Sequence, residues 1–419
     1  MRLRVALPIA IAIGVAGCGG RPTAFLVPVG VDAPMAPGAS RVDMLVATTR
    51  SPDGAAPGQM FTGERGHGLA FADIAVSIPP DAVREIGEVQ FPSTPPGDPA
   101  KEFVTLRADR LDEAAAMARL HARTTKVAKR QALVFVHGYN TRFEEAVYRF
   151  AQIVHDSGAP VTPVLFTWPS RGKLLAYTYD RESANYSRDA LETTLLTLVR
   201  DPAIGEISIL AHSMGNWVTV EALRQMSIRE HGIPKKISTV MLAAPDVDVD
   251  VFRKQIALIE EDGTRPDFTL FVSRDDEALA MSRRIWGSTA RVGAIDPDAD
   301  PYRAQLAQAK LRVVDMTDVK TADSLGHGKF AESPQIVQSI GARLASGQAI
   351  SDGHAGLGEK IGQVAIGAAG TVGRAAGVVV SAPIAIVDGR TREGLSDQIE
   401  ALGESASNTV QSTTSVGRR

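Results

Sequence analysis

The sequence contains a single cysteine among its 419 residues. No disulfide can therefore form within the chain, and a zinc site made of several thiolates is excluded. The formal net charge is −3, and no segment is strongly basic, so we expect no nucleic-acid partner. The sequence has neither the H-E-x-x-H metal-binding motif nor the G-x-x-x-x-G-K-S/T phosphate-binding motif. We therefore expect no metal ion and no cofactor.

The one cysteine, Cys18, follows a segment that resembles the signal peptide of a bacterial lipoprotein. Arg2 and Arg4 precede an apolar run over residues 5–15, which is typical of a signal peptide and too short to span a membrane. The small residues before Cys18 resemble a bacterial lipobox, which implies cleavage before Cys18 and lipidation there. We expect an anchor in the bacterial cell envelope, facing the periplasm and at the outer membrane. The alternative is an ordinary signal peptide in which Cys18 has no role.

The most informative stretch is ISILAHSMGN at residues 207–216. A short β-branched run ends abruptly at Ser213, and a helical pattern follows. This is the G-x-S-x-G nucleophile elbow with Ala211 in place of the first glycine. The small residues Ala211 and Gly215 let the turn close, and the turn exposes the serine hydroxyl at the start of a helix. The pattern predicts that Ser213 is a nucleophile.

A serine nucleophile needs a histidine to accept its proton. His327 follows the predicted strand 311–315, which is where such a base lies in chains with this elbow, so we predict that it is the base. His354 is a rival in the glycine-rich tail. His137 and His212 flank the site within its motifs, and we interpret both as structural.

A carboxylate must orient that histidine and stabilise its charged form. Asp276 follows the predicted strand 268–273 and has Leu279 three residues later, a spacing seen after this strand in related hydrolases. We therefore favour Asp276 as the acid. Asp275 and Asp246 remain alternatives.

The site also needs backbone N–H groups that stabilise a tetrahedral oxyanion. A buried strand pattern over residues 132–136 ends in a His-Gly-Tyr-Asn loop, where hydrolases of this type place one donor. We predict the Tyr139 N–H as this donor, with the Gly138 N–H as the alternative. The Met214 N–H, directly after the nucleophile, is the predicted second donor.

Six longer motifs identify a known family. The segments VFVHGYNT, PVLFTWPSRG, YDRESANYSRDAL, LAHSMGNW, MLAAPDVDVDVF and SLGHGKF resemble the α/β-hydrolase family of unknown function called DUF900. The resemblance covers residues 41 to 340. It implies an α/β-hydrolase fold and a serine-hydrolase site, and it says little about the substrate. Ala211 in place of glycine is a mild departure from the general hydrolase pattern.

The apolar pattern alternates between short strands and longer helices, which predicts a mostly parallel central sheet with helices on both faces. Three early strands are expected at 41–48, 70–78 and 87–91, followed by a helix within 111–129. Later strands are expected near 132–136, 161–167, 206–211, 237–244, 268–273 and 310–315, with helices near 142–157, 183–200, 215–231, 249–259 and 276–285.

We divide the chain into four parts. Residues 1–17 form the signal peptide, 18–40 a flexible tether, 41–345 the α/β-hydrolase domain, and 346–419 a Gly/Ala-rich, partly disordered tail. Within the tail, residues 361–387 carry one charge and are read either as a flexible or surface-packed segment or as one apposed to the membrane.

These features predict a serine hydrolase that cleaves a small-molecule or lipid ester through an acyl-serine intermediate. The sequence has no insertion that resembles a lid after the strand near 237–244, which favours an esterase over a lid-gated lipase. Two alternatives stay open. One is an acyltransferase, in which an alcohol replaces water, and the other is a non-catalytic envelope lipoprotein that uses the cleft for binding.

Overall fold

The computed structural model describes residues 25–29, 35–54, 58–260, 265–285 and 289–346. The predicted signal peptide, the lipidation site Cys18, the rival base His354 and nearly all of the predicted tail lie outside these residues. Within the described ranges, no helix combines the length and the apolar character needed to cross a membrane.

A single sheet of nine strands organises the described residues. The strands are β1 (Ser40–Pro52), β2 (Phe61–Ile78), β3 (Val104–Leu111), β4 (Gln131–Val136), β5 (Thr162–Thr167), β6 (Glu206–His212), β7 (Ile237–Ala243), β8 (Asp267–Val272) and β9 (Arg312–Asp315). Their spatial order is β3-β2-β1-β5-β4-β6-β7-β8-β9. The first three strands pair antiparallel, and every pair from β1–β5 onward is parallel. The predicted α/β class with a mostly parallel sheet is confirmed.

Helices cover both faces of this sheet. In the described part of the chain they are α1 (Glu113–Thr124), α2 (Phe143–Ser157), α3 (Tyr177–Arg200), α4 (Gly215–Glu230), α5 (Val249–Glu260), α6 (Glu277–Ile285), α7 (Tyr302–Gln308), α8 (Lys329–Glu332) and α9 (Pro334–Ser346). Helices α3, α4 and α5 pack side by side, and α2 packs against α9.

The central strand β4 shows why its sequence reads as a continuous apolar run. Side chains of a strand alternate between the two faces of the sheet. Ala132, Val134 and Val136 enter the core under α3 and α4, whereas Leu133 and Phe135 enter the core under α2 and α9. Because both faces are covered, neither set can be polar.

The antiparallel edge differs from the prediction. Residues 87–91 form a loop, and the third strand is β3 instead. The apolar side chains Val89 and Phe91 that suggested a strand pack on the core without pairing. The helix expected within 111–129 is shorter because Asp112 caps its first turn, accepting from the Ala115 N–H at 2.8 Å, and the helix ends at Thr124.

Part of the predicted tether is packed on the domain. Phe25 and Leu26 are buried, and the ring of Phe25 lies 4.9 Å from the ring of Tyr148 on α2. The Leu26 N–H also donates to the Gly58 carbonyl at 3.2 Å. Two large apolar side chains next to an aromatic cluster bury more surface by packing than they would in a free linker.

Candidate active site

Ser213 lies at the sharp turn between β6 and α4. Its φ of 52° is in the left-handed region that residues other than glycine rarely adopt. Its N–H donates to the Ala243 carbonyl at 2.9 Å, and its own carbonyl accepts from the Asn216 N–H at 3.1 Å. The strained turn is therefore held by β7 on one side and by the first turn of α4 on the other, as in a nucleophile elbow.

Two glycines allow this turn to meet the loop after β4. A Cβ at Gly215 would lie 2.4 Å from the His137 carbonyl oxygen and 2.6 Å from that of Val136. A Cβ at Gly138 would lie 2.9 Å from the Cβ of Ser213. Any side chain at either position would collide with its neighbour, so the two loops touch backbone to backbone beside the serine.

The structure brings the predicted acid and base together. Nδ1 of His327 lies 2.7 Å from Oδ2 of Asp276. The other oxygen of this carboxylate accepts from the Leu279 N–H at 2.9 Å. Asp276 therefore caps the start of α6 and is fixed in place while it orients the imidazole. The Asp276–Leu279 spacing that favoured this aspartate corresponds to that capping bond.

His327 lies beside the nucleophile turn. Its ring centroid is 4.8 Å from that of His212, the residue before Ser213. The Nε2 atom of His212 also lies 3.2 Å from the His327 carbonyl oxygen. The His212 ring also stacks on the ring of Phe330, with the two ring centroids 4.5 Å apart. His212 thus packs the histidine loop onto the end of β6, which agrees with a structural role.

Asp323 fixes the loop that carries His327, and the sequence analysis missed it. Its carboxylate accepts from the backbone N–H groups of His327 at 2.6 Å and Gly328 at 2.8 Å. It also accepts from the Leu325 N–H at 3.0 Å. An aspartate a few residues before a loop histidine is the local signal for such a turn, because Asp side chains readily bond to nearby backbone N–H groups.

The two neighbouring rings, His327 and His212, have opposite pKa shifts. Burial disfavours the charged form of His327, but the charge and hydrogen bond of Asp276 outweigh burial and raise its pKa above 6.5. Burial, followed by the charge of His327, holds the pKa of His212 well below 6.5. Burial and the nearby Arg50 likewise lower the pKa of His137 to about 3. Of these three rings, only that of His327 has a raised pKa, which favours its acceptance of a proton.

The two alternative acids have other partners. Asp275 forms an ion pair with the buried Lys329, at 2.7 Å. Asp246 is near the site, since its N–H donates to the Ser213 carbonyl at 3.3 Å. Its carboxylate, however, accepts from the hydroxyl groups of Tyr177 at 2.6 Å and Ser282 at 2.7 Å. The hydrogen bond to His327 is made by Asp276.

The predicted oxyanion donors belong to the two segments that meet at the Ser213 turn. Met214 is buried at the start of α4. Tyr139 follows Gly138, whose backbone abuts Ser213. The Tyr139 ring packs at 5.0 Å from the Tyr177 ring, and its hydroxyl donates to the Leu174 carbonyl. The side chain of Tyr139 is thus held by Tyr177 and by the Leu174 carbonyl.

A buried polar network holds the loop of residues 137–142. The fully buried carboxylate of Asp180 accepts from the Ser170 hydroxyl at 2.5 Å and from the Asn140 N–H at 3.3 Å. The Ser170 hydroxyl in turn accepts from the Thr141 N–H at 3.0 Å. Ser170 itself is fully buried.

Arg50 of β1 reaches the same network from the other side. Its guanidinium donates to the Thr141 carbonyl and to the Ser170 carbonyl, each at 2.8 Å, and to the Thr167 hydroxyl at 2.8 Å. Burial lowers the pKa of Arg50 to about 10, so it stays charged at neutral pH. Arg50 therefore fixes the loop of residues 137–142 from a strand that is distant in sequence.

No group of three or more His, Cys, Asp or Glu side chains within the described ranges is arranged to hold a metal ion.

No curated protein matches the sequence. Among solved structures, an esterase from Pyrobaculum calidifontis is similar over 75% of this chain and 87% of its own, with 11% identity and a TM-score of 0.29. A likeness this distant carries no argument about activity.

A protein family matches the sequence over a long segment. The profile of the family described as "Alpha/beta hydrolase of unknown function (DUF900)" matches residues 112–343, more than half of the chain. The matched region contains β4 to β9, the elbow at Ser213 and the Asp276–His327 pair. The parallel sheet and the family match agree on the fold, and the chain belongs to the DUF900 family of α/β hydrolases.

Proposed function

We propose that this protein is a serine hydrolase that cleaves a carboxylic ester, or a related acyl bond, through an acyl-serine intermediate. The single observation that carries the proposal is the 2.7 Å contact between His327 Nδ1 and the buried carboxylate of Asp276, beside the strained Ser213 turn. A bound carboxylate of this kind gives a histidine the tautomer and basicity that a serine nucleophile needs.

In the proposed reaction, Ser213 Oγ attacks the substrate carbonyl while Nε2 of His327 takes its proton. Asp276 holds Nδ1 of the ring and stabilises the charged imidazolium. The tetrahedral intermediate collapses, and His327 gives its proton to the departing alcohol. Water then attacks the acyl-serine with His327 as base again, which releases the acid and restores the Ser213 hydroxyl.

The negative charge on the carbonyl oxygen is stabilised by backbone N–H groups. We assign this role to Met214 and Tyr139, which lie at the start of α4 and in the loop after β4. Each such donor is worth roughly 3 kcal/mol of activation free energy. The bonds from Asp180 and Arg50 to this loop support the assignment, because catalysis by fixed dipoles requires that they do not reorganise.

A fluorophosphonate probe tests the proposal, because it reacts covalently with activated serines. We expect labelling of the wild type, none of Ser213→Ala, and strongly reduced labelling of His327→Ala. Ser238→Ala, at the opposite end of β7, is the matched control and should be labelled like the wild type. A folded wild-type protein that the probe does not label at Ser213 would contradict the proposal and favour the binding-lipoprotein alternative.

We also propose that lipid on Cys18 anchors the protein in the bacterial envelope. The sequence pattern of residues 2–18 supports this. A Gram-negative host fed with labelled palmitate should attach the label to the wild type and not to Cys18→Ser. A wild type that carries no label would contradict this anchor.

A further inference from the structure

His327 lies on a segment, residues 316–329, that has little regular structure. We call it the base segment. Its last residue is the first residue of α8, and the others form neither a helix nor a strand. The hydrogen bonds that Asp323 accepts join groups within this segment, so they shape it but do not fix where it lies. His327 has to stay beside Asp276, which lies on another segment. Bonds between the two segments must therefore hold the base in place.

Lys329, two residues after His327, reaches from the start of α8 to the ends of two strands. Its side chain is 4% exposed. Nζ donates to the Ser273 hydroxyl at 3.0 Å, and Ser273 directly follows β8. Nζ also lies 3.0 Å from the carbonyl oxygen of Met316 and 3.1 Å from that of Thr317, and these two residues directly follow β9. One buried amine thus ties the base segment to the carboxyl ends of two neighbouring parallel strands.

The base segment also pairs with the acid segment, residues 275–277, in antiparallel order. The pairs are Asp275 with Lys329, Asp276 with His327 and Glu277 with Leu325. The two side-chain contacts are each 2.7 Å long, and the Glu277 N–H donates to the Leu325 carbonyl at 2.9 Å. Neither segment can slide along the other without losing all three contacts. The middle contact is the one that the proposed reaction needs.

Stability alone does not explain why this buried side chain carries a charge. Moving an ammonium group out of water is costly, and apolar side chains in place of a buried ion pair are often equally stable or more stable. A buried charge with all its hydrogen bonds made does favour one arrangement, because other arrangements leave it without acceptors. Around Nζ of Lys329 lie the Asp275 carboxylate, the Ser273 hydroxyl and two carbonyl oxygens. The hydroxyl and the carbonyls would remain if Asp275 lost its charge.

We propose that Lys329 is a positioning residue that holds the base segment on the acid segment and so places His327 for proton transfer. This inference rests on the proposed hydrolase function. Lys329 acts through His327, because its own amine is occupied by Ser273, Asp275 and the carbonyls after β9. Misplacing a catalytic group by about 1 Å can lower a rate by about 10²-fold, so loss of the amine should be visible in catalysis.

The test compares Lys329→Met with Lys236→Met in the full-length protein. Methionine keeps an unbranched side chain but lacks the amine. Lys236 is the matched control, because its Nζ also donates to a backbone carbonyl, that of Asp201 at 2.8 Å, but it directly precedes β7 at the opposite end of the sheet. The readouts are the rate constant for fluorophosphonate labelling of Ser213 and the hydrolysis of para-nitrophenyl acetate.

We expect Lys329→Met to lower the labelling rate constant and kcat by about 10²-fold. KM should change little, because His327 acts in the transition state. Lys236→Met should match the wild type in all three quantities. If Lys329→Met does not fold, Lys329→Gln takes its place, since it keeps one donor group, and its expected loss is about tenfold.

Proton NMR separates positioning from a general loss of stability. The proton between Nδ1 of His327 and Asp276 should give a resonance far downfield, because it lies in a short bond to a carboxylate. We expect this resonance in the wild type and in Lys236→Met, and we expect it to be shifted or absent in Lys329→Met. Urea unfolding establishes that the variants are folded.

A folded Lys329→Met or Lys329→Gln that is labelled at the wild-type rate and keeps the resonance would overturn the inference, while the hydrolase function stands. An equal loss of activity in Lys236→Met would also overturn it, because the loss would then follow from reduced stability. A folded wild type that the probe does not label at Ser213 would overturn both the inference and the proposed function.

Discussion

His137 donates from Nδ1 to the carbonyl oxygen of Gly138 at 2.8 Å. Nε2 of the same ring accepts from the Trp168 N–H at 3.1 Å, so the proton of the neutral ring is on Nδ1. The Gly138 carbonyl and the Tyr139 N–H belong to one planar peptide unit and point in opposite directions. By holding the carbonyl, His137 sets the direction in which the predicted oxyanion donor points.

His137→Phe tests this positioning role. Phenylalanine keeps the aromatic packing on Trp168, which lies 4.9 Å away in the native pair, but it cannot hold the Gly138 carbonyl. We expect kcat to fall by at least about tenfold, short of the 10²–10³-fold loss that follows removal of an oxyanion donor. KM should change little, because the lost interaction acts in the transition state. His121→Phe, at an exposed site on α1, is the control, and an unchanged kcat in a folded His137→Phe protein would refute the role.

The second prediction concerns pH. His327 must be neutral to act as a base, and Asp276 raises its pKa above 6.5. We therefore expect kcat/KM to fall as the pH decreases through a midpoint above 6.5. In Asp276→Asn, only the smaller effects of the Asp246 and Asp323 charges oppose burial. The midpoint should therefore move to lower pH while kcat falls by about 10⁴-fold, as in serine proteases.

The control for this pH profile is the neighbouring carboxylate. Asp275→Asn breaks the ion pair with Lys329 and should cost stability, but it should leave the midpoint of kcat/KM where it is in the wild type. A midpoint that follows Asp275 instead of Asp276 would reverse the assignment of the acid.

The third prediction concerns the glycine of the elbow. A Cβ in Gly215→Ala would lie 2.4 Å from a backbone oxygen, and a backbone atom cannot rotate away. We expect the free energy of unfolding to decrease by more than the roughly 1–3 kcal/mol typical of overpacking. Gly68→Ala, on β2 with no neighbour within 4 Å of the new Cβ, should be neutral or slightly stabilising. Denaturant unfolding measures both, and similar stabilities of the two variants would contradict this reading of the turn.

The fourth prediction concerns Glu144, which is buried at the start of α2. Burial raises the pKa of its carboxyl from 4.5 to about 7. A raised pKa contributes stability below pH 4.5, and this contribution is lost as the pH rises through about 7. The free energy of unfolding of Glu144→Gln, relative to that of the wild type, should therefore increase between pH 5 and pH 8, by up to about 3 kcal/mol.

Urea unfolding of both proteins at each pH measures this difference. Glu113→Gln, which removes an exposed carboxylate from the first turn of α1, controls for the loss of one negative charge. A stability difference between Glu144→Gln and the wild type that stays constant with pH would show that the carboxylate is ionised throughout.

The elements that could be predicted from sequence are those with a strong local pattern. Strand β4 is apolar throughout because it is buried on both faces, and the Ser213 turn has its own motif. Chain order predicted Asp276 and His327 as acid and base, because in this fold these groups follow particular parallel strands, and the structure brings the two side chains together.

The groups that sequence analysis missed contact residues that are far away in the sequence. Arg50 follows two threonines near the end of β1, and nothing near it in sequence reveals that it contacts Thr141 and Ser170 about 90 and 120 residues later. Asp180 on α3 reads as an ordinary charge on a helix, because periodicity does not show that a loop will cover it. Strand β3 lacks an apolar pattern strong enough to distinguish it from a loop.

The contacts of Arg50 also determine how much of the chain an expression fragment must contain. The family match begins at residue 112, yet the side chain that ties down the loop of residues 137–142 comes from β1, and β1 pairs with β5 in the middle of the sheet. An expression fragment trimmed to the family boundary would lose both that tie and the strand beside β5. A fragment that preserves this loop and the sheet around it therefore has to include β1.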